Sequence, residues 1–234
     1  LRRKQTETTD QTDSGLAAVS NHEFMAAIFG DSFDSAKPLV CSKPGNPVSG
    51  GWMARFWPCS TIGSDLNWFF CPGLYEPDAN GKPRAKHELV KAVYVLCLDD
   101  VGTKVDLQVL EKLAPTWLIE TSPGNFQAGY LFDQPIVDLD YVDELKKKLI
   151  DNDLCDPGAS GATTRWMRLP VGINGKRKYG SDGFKCRLSQ WSPKNRYTPA
   201  EIEKALLRAE ADASGIRETP ANDGQNPVID ALKE

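Results

Sequence analysis

One segment constrains this chain more than any other. Residues 91–98 read Lys-Ala-Val-Tyr-Val-Leu-Cys-Leu and run straight into two aspartates, Asp99 and Asp100. A stretch of this length, nearly all apolar and partly β-branched, predicts a strand buried on both faces, hence one at the centre of a sheet. Carboxylates at the end of a buried strand lose hydration and must be compensated, most often by a divalent cation. In a regular strand, neighbouring side chains point to opposite faces. Both aspartates reach one ion only if the strand breaks there, and Val101-Gly102 supplies a break. Taken alone, the pair reads equally well as a cap beside a solvated residue.

The flanking segments set the fold class. Asn21 is placed to cap a helix through Phe24, Met25, Ile28 and Phe29, stopped by Gly30. Residues 38–41, 53–58 and 67–70 pattern as short strands, and 106–113 as a helix ended by Pro115. Strands over 116–120 and 126–132 flank Ser122-Pro-Gly-Asn125, a hairpin signal. Leu139, Val142, Leu145 and Leu149 share one face of a helix over 139–150. A Gly-rich loop over 156–164 leads to strands at 166–169 and 184–191. Thr198-Pro-Ala-Glu201 is a capping box with proline at the first helical position, opening a helix to about residue 212. This order predicts an α+β fold with a mixed, mainly antiparallel central sheet flanked by helices. Residues 1–19 lack apolar periodicity and read as disordered, 20–214 as one domain, and 215–234 as a flexible tail or linker.

Composition narrows the partners. With 234 residues, 40% hydrophobic and 26% charged, the chain reads as soluble and globular, without an apolar run long enough for a membrane span. The N-terminal stretch lacks the apolar core of a secretory signal, which points to a cytoplasmic protein. Six cysteines are scattered with no Cys-x-x-Cys pair, so reduced, structural thiols are expected. A net charge of −4 argues against coating nucleic acid by bulk charge. Between residues 165 and 196, however, nine Lys or Arg face a single acidic residue, Asp182, interleaved with Trp166, Tyr179, Trp191 and Tyr197. That segment is either a solvated basic face or a phosphate-seeking one.

Two further blocks are candidates for chemistry, each readable on its own also as a plain turn or as a surface strand with incidental charge. The hairpin places Ser122 before its turn and Gln127 after it, where exposed amides and a side-chain amide suit a phosphate or sugar. The segment Arg165-Trp-Met-Arg168-Leu-Pro-Val-Gly-Ile-Asn174-Gly-Lys176 sets two arginines on a strand, then turns at Pro170, Gly172 and Gly175. Guanidinium and ammonium groups are the usual partners of polyphosphates. Asp156 adds a carboxylate just upstream.

In this order the three blocks resemble the motifs of the archaeo-eukaryotic primase superfamily, more closely its RepB-like and phage-plasmid primase-polymerase branch. The strand ending in metal-binding aspartates is matched by Tyr94 to Lys104, the Ser-containing hairpin by Thr121 to Gln127, and the acidic residue with its Arg-Leu-Pro turn by Asp156 and Arg168 to Lys176. The pattern departs in two places. The aspartates are consecutive where the superfamily commonly spaces them by one residue, and Gln127 stands where many members have histidine.

The resemblance implies an RRM-like primase-polymerase core. It implies a DNA primase or polymerase that joins nucleotides on a single-stranded DNA template by a two-metal mechanism. Asp99, Asp100 and Asp156 would hold Mg²⁺ or Mn²⁺. Ser122, Gln127, Arg168, Asn174 and Lys176 would bind the nucleoside triphosphate, and Arg165, Lys178, Lys185 and Arg187 the nucleic acid. Trp166 or Trp191 would stack on a base, or each belongs to the core. A helicase domain or protein would be a further partner, in a phage- or plasmid-encoded system of a bacterial cell. The alternative is a catalytically silent domain that binds single-stranded nucleic acid with the same fold.

Overall fold

The computed structural model describes residues 18–207, apart from 61, 64 and 160. The expectations for residues 1–17, for the helix end near 212 and for the tail 215–234 lie outside the described residues. Ten strands occur among them: β1 (Lys37–Lys43), β2 (Met53–Phe56), β3 (Asn67–Tyr75), β4 (Val90–Val101), β5 (Trp117–Ser122), β6 (Asn125–Ile136), β7 (Met167–Arg168), β8 (Ile173–Asn174), β9 (Phe184–Lys185) and β10 (Arg187–Trp191). Four helices accompany them: α1 (Asn21–Phe29), α2 (Val109–Lys112), α3 (Leu139–Asp151) and α4 (Pro199–Leu207).

The main sheet has the order β10-β5-β6-β4-β3-β1-β2, with β7 added to β3, and all its strand pairs are antiparallel. Strand β4 is central, as its apolar run predicts. Its alternate residues serve two cores. Leu96 and Leu98 join the cluster that takes Val142, Leu145 and Leu149 of α3 and Ile202 and Leu206 of α4. Val95 and Cys97 join the cluster built on Phe24, Met25, Ile28 and Phe29 of α1. Phe24 is fully buried and meets Phe70 and Trp117 edge-on, with ring centroids 5.5 and 5.6 Å away. Burying a ring of that size contributes about 2–3 kcal/mol by area alone.

Four local expectations are corrected. Ser20 caps α1: its hydroxyl accepts from the Glu23 N–H (3.2 Å) while the Glu23 carboxylate accepts from the Ser20 N–H (2.8 Å). Asn21 instead turns inward and grips Val171 through both its amide groups (2.6 and 2.9 Å), tying α1 to the turn after β7. Helix α2 covers only Val109–Lys112, because the Asp106 side chain accepts from the Gln108 N–H (2.9 Å) and holds a turn instead. Strand β3 runs on through Pro72 and Gly73 to Tyr75. Pro72 falls in the irregular register between Val40↔Phe70 and Pro38↔Leu74, where a missing N–H is tolerated. Gly73 is required, since a Cβ there would lie 2.5 Å from the Ala92 carbonyl oxygen. The final strand divides into β9, which pairs with β8 in a separate two-stranded sheet, and β10 at the edge of the main one. No helix among the described residues is long and apolar enough to cross a membrane.

Candidate active site

Strand β4 does not stop at the aspartates. It continues to Val101 and bulges there, its register with β6 shifting between Leu98 and Val101. The break falls on Asp100 itself, which adopts a left-handed backbone with φ 57°. Aspartate is among the few residues that tolerate this conformation. The Asp100 carbonyl then gathers the N–H groups of Thr103, Lys104 and Val105 (3.2, 2.9 and 3.1 Å). Gly102 follows at φ 91°, so close to the β5–β6 hairpin that a Cβ would sit 2.4 Å from the Gly124 carbonyl oxygen. As a result Asp99 and Asp100 both line one cleft of about 670 Å³, together with Asp156 from the loop after α3.

Each carboxylate has defined partners. Asp99 accepts from Gln127 Nε2 at Oδ1 (2.9 Å) and from Arg165 Nη2 at Oδ2 (3.0 Å). Asp100 accepts from Asn125 Nδ2 (2.9 Å) and pairs with Lys104 Nζ (2.8 Å), which also reaches Asp156 Oδ2 at 3.2 Å. Burial works to raise the Asp100 carboxyl, but hydrogen bonds from Lys104 and Asn125 and the charges of Lys104 and Lys176 outweigh it and hold the group below the usual carboxylate range. The same two carboxylates raise the Lys104 ammonium above its ordinary value.

The expected nucleotide-binding residues fall into two groups. Gln127, Arg168 and Asn174 form a buried framework in the wall of the cleft. Gln127 Oε1 accepts the Arg168 N–H (2.8 Å), so its amide bridges β7 and Asp99. The Arg168 guanidinium is spent within the protein, donating to the Ile173 carbonyl (2.9 Å) and Asn174 Oδ1 (2.8 Å) and lying 4.7 Å from the Phe69 ring centroid. Burial lowers its pKa from the ordinary value. Asn174 donates in turn to the Thr121 carbonyl (2.7 Å). Lys176 lines the cleft directly, whereas Ser122 opens into an adjoining hollow of about 470 Å³ shared with Lys176, Lys178 and Tyr179.

Of the residues expected to touch nucleic acid, Arg165 lies in the cleft against Asp99. Lys178 borders the hollow with its ammonium 4.9 Å from the Tyr179 ring centroid. Arg187 is paired with Glu120, and Lys185 is exposed on β9, away from both cavities. Trp191 packs against Phe24 (ring centroids 5.1 Å apart) rather than facing the site, and Trp166 packs against the core under α3 while lining the cleft.

Several residues of the site went unassigned in the sequence. Lys104 and Asn125 lie inside the matched motifs, and their roles emerge only from the bulge and the hairpin. Asn67 accepts from the Gly175 N–H (2.8 Å) and donates to the carbonyls of Lys43 and Gly45 (2.8 and 2.6 Å). The one signal for it was an asparagine opening an otherwise apolar strand. Trp52, exposed on the connection between β1 and β2, gave none.

The donor set suits a hard divalent cation. Asp100 and Asp156 already share one cation, the Lys104 ammonium, and present only oxygen, as Mg²⁺ and Mn²⁺ prefer. Gly158 leaves room beside them, since a Cβ there would stand 2.9 Å from Asp156 Oδ2. Asp99 is engaged on both oxygens. Among the described residues no three Asp, Glu, His or Cys side chains converge on one point as a ready metal cage.

No protein-family profile matches the sequence, and neither does any curated protein. Solved structures do match. The primase-polymerase (AEP) domain of cyanophage S-2L superposes with a TM-score of 0.57 at 15% identity, over 78% of this chain and 94% of the other. The chain has an archaeo-eukaryotic primase fold. Primase RepB′ matches with a TM-score of 0.52 at 17% identity, over 80% of this chain and 61% of RepB′. The RepB′ catalytic domain in complex with initiator DNA gives the same score and identity over 92% of its length. In this chain the primase fold brings together, at one cleft beside β4, the three carboxylates expected from sequence.

Proposed function

We propose that this chain is a template-dependent nucleotidyltransferase, a DNA primase or polymerase. One observation carries the reading: in a primase fold, Asp99, Asp100 and Asp156 share a single cleft with Lys104, Arg165 and Lys176. Acidic groups to hold a metal beside cations to hold phosphates are the parts that phosphoryl transfer requires, because its catalysis is almost entirely positioning and charge stabilisation.

Asp100 and Asp156 are the residues that would hold Mg²⁺ or Mn²⁺, with Asp99 beside them. When bound, such an ion neutralises charge on the phosphates and favours in-line attack by a 3′ hydroxyl. The chain's own groups do the rest. Lys176 and Arg165 draw the triphosphate into the cleft, and Gln127 fixes the direction of the Asp99 carboxylate without adding charge. Lys104, more than half exposed, swings between its carboxylates and a phosphate oxygen. Lys178, at the rim, lies along the path of a single-stranded template.

A second reading has its own support. Because both Asp99 oxygens are occupied by Arg165 and Gln127, the chain also suits a silent domain that binds single-stranded nucleic acid. A primer-synthesis assay in Mn²⁺ on several single-stranded templates decides between them. Activity in the parent, abolished by Asp99→Ala with Asp100→Ala, supports the enzyme. An inactive parent whose nucleotide binding is untouched by that double substitution supports the silent domain.

A further inference from the structure

Beside its charged groups the cleft has an apolar wall, formed by Pro47, Val48 and Trp52 from the connection between β1 and β2 and by Phe69 of β3. Val48 is 78% exposed, Trp52 43% and the adjacent Met53 44%. Three of the four large hydrophobic side chains most exposed among the described residues thus fall in six consecutive positions. Grouped apolar exposure of this kind marks a binding surface.

The connection is built rather than loose. Asn46 accepts from the Val48 N–H (3.2 Å), and Asn67 anchors the start of the loop through Lys43 and Gly45. The Trp52 ring lies 4.8 Å from that of Phe69, and Phe69 lies under the Arg168 guanidinium. Arg168 meets Gln127, and Gln127 meets Asp99. The exposed indole therefore connects to the candidate catalytic carboxylate through an unbroken series of contacts. Of the other tryptophans, Trp57, Trp68 and Trp117 are buried, Trp191 packs on the core of α1, and Trp166 also lines the cleft but packs against the core beneath it.

A ligand that satisfies both the apolar wall and the charged groups has a flat, uncharged end and an anionic end. We propose that Trp52, held by Phe69, is the shelf on which the base of a bound nucleoside triphosphate stacks while its phosphates face Lys104, Arg165 and Lys176. This assignment rests on the nucleotidyl-transfer reading and adds to it the residue that receives the base. Because every base has a π face, the shelf binds purines and pyrimidines alike.

The test compares the full chain with its Trp52→Ala and Trp52→Phe variants, by calorimetric titration in Mn²⁺ with ATP, dCTP, inorganic tripolyphosphate and a dT oligomer. Trp52→Ala is expected to weaken both nucleotides by roughly 5- to 100-fold, to leave tripolyphosphate within about twofold, and to be largely rescued by Trp52→Phe. The substituted side chain is exposed, so a matching thermal unfolding profile keeps the comparison valid. Unchanged nucleotide affinity in Trp52→Ala overturns the shelf, as does an equal loss of tripolyphosphate. Weakened dT binding with intact nucleotide binding overturns it too, by placing a template base there. A parent that binds tripolyphosphate but gains nothing from an attached base refutes the shelf and spares the phosphate site. A parent that binds none of these ligands refutes both readings.

Discussion

Replacing Gln127 by leucine isolates the bond that ties Asp99 to β7. The amide is buried and makes two hydrogen bonds, one to the Asp99 carboxylate and one from the Arg168 N–H. A hydrogen bond to a charged group is worth about 1.5–3 kcal/mol, and a buried N–H left without a partner costs about 1–3 kcal/mol. Leucine recovers roughly 1 kcal/mol of apolar burial. The net expectation is a loss of about 2–4 kcal/mol, or about 5–15 °C in Tm for a domain of this size. Chemical denaturation with unchanged m value measures it. A Gln127→Leu protein within about 0.5 kcal/mol of the parent would refute the bridging role. Gln127→Glu sharpens the test, because it keeps the acceptor for Arg168 but sets a second carboxylate against Asp99. One of the pair then takes up a proton with a raised pKa, and the destabilisation grows as pH rises from about 4 to 7. A pH-independent loss would argue against that contact.

Two further outcomes concern the acidic cluster. Lys104→Met removes the cation shared by Asp100 and Asp156, and a unit charge at 4 Å in water-like surroundings is worth about 1 kcal/mol. Mn²⁺ affinity of the nucleotide-free protein, followed by electron paramagnetic resonance, should therefore rise about fivefold, and an unchanged or weaker affinity would contradict the shared-cation geometry. Asp100 titrates below the usual carboxylate range, so its stabilisation is present above the ordinary value of 3.8 and is lost as pH falls through the lowered one. Thermal unfolding of Asp100→Asn across that window should show a shallower acid-side decline than the parent, and identical slopes would remove Asp100 from the account.

Much of the fold was legible because its signals are local. Residues 91–98 announced a central strand, Ser122-Pro-Gly-Asn125 a hairpin, and the 139–150 periodicity a helix, and all three are present. The errors arose where a side chain had a tertiary use that competes with its local one. Asn21 is a good cap, yet Val171 takes it; Asp106 can begin a helix, yet it closes a turn. Pro72 and Gly73 look like a strand end, and only the close approach of Ala92 explains why the strand needs the glycine. For the cleft, the sequence yielded the charged groups, because charges near buried strands demand partners. It did not reveal which charge meets which: Arg168 lines the cleft, but that its guanidinium also donates to Ile173 and Asn174 could not be read from the chain. Trp52 escaped because an exposed aromatic in a loop carries no periodicity.

The left-handed backbone at Asp100 bears on how such sites are sought in other chains. A single residue at φ 57° lets two neighbours that would point apart in a regular strand line the same cleft, doing for adjacent aspartates what an intervening residue does in an extended strand. A search pattern that insists on one residue between the acids screens for a spacing along the chain, whereas the chemistry requires a spacing in space. Allowing adjacent acids wherever a buried strand runs into a glycine-containing bulge would admit chains that the stricter pattern discards.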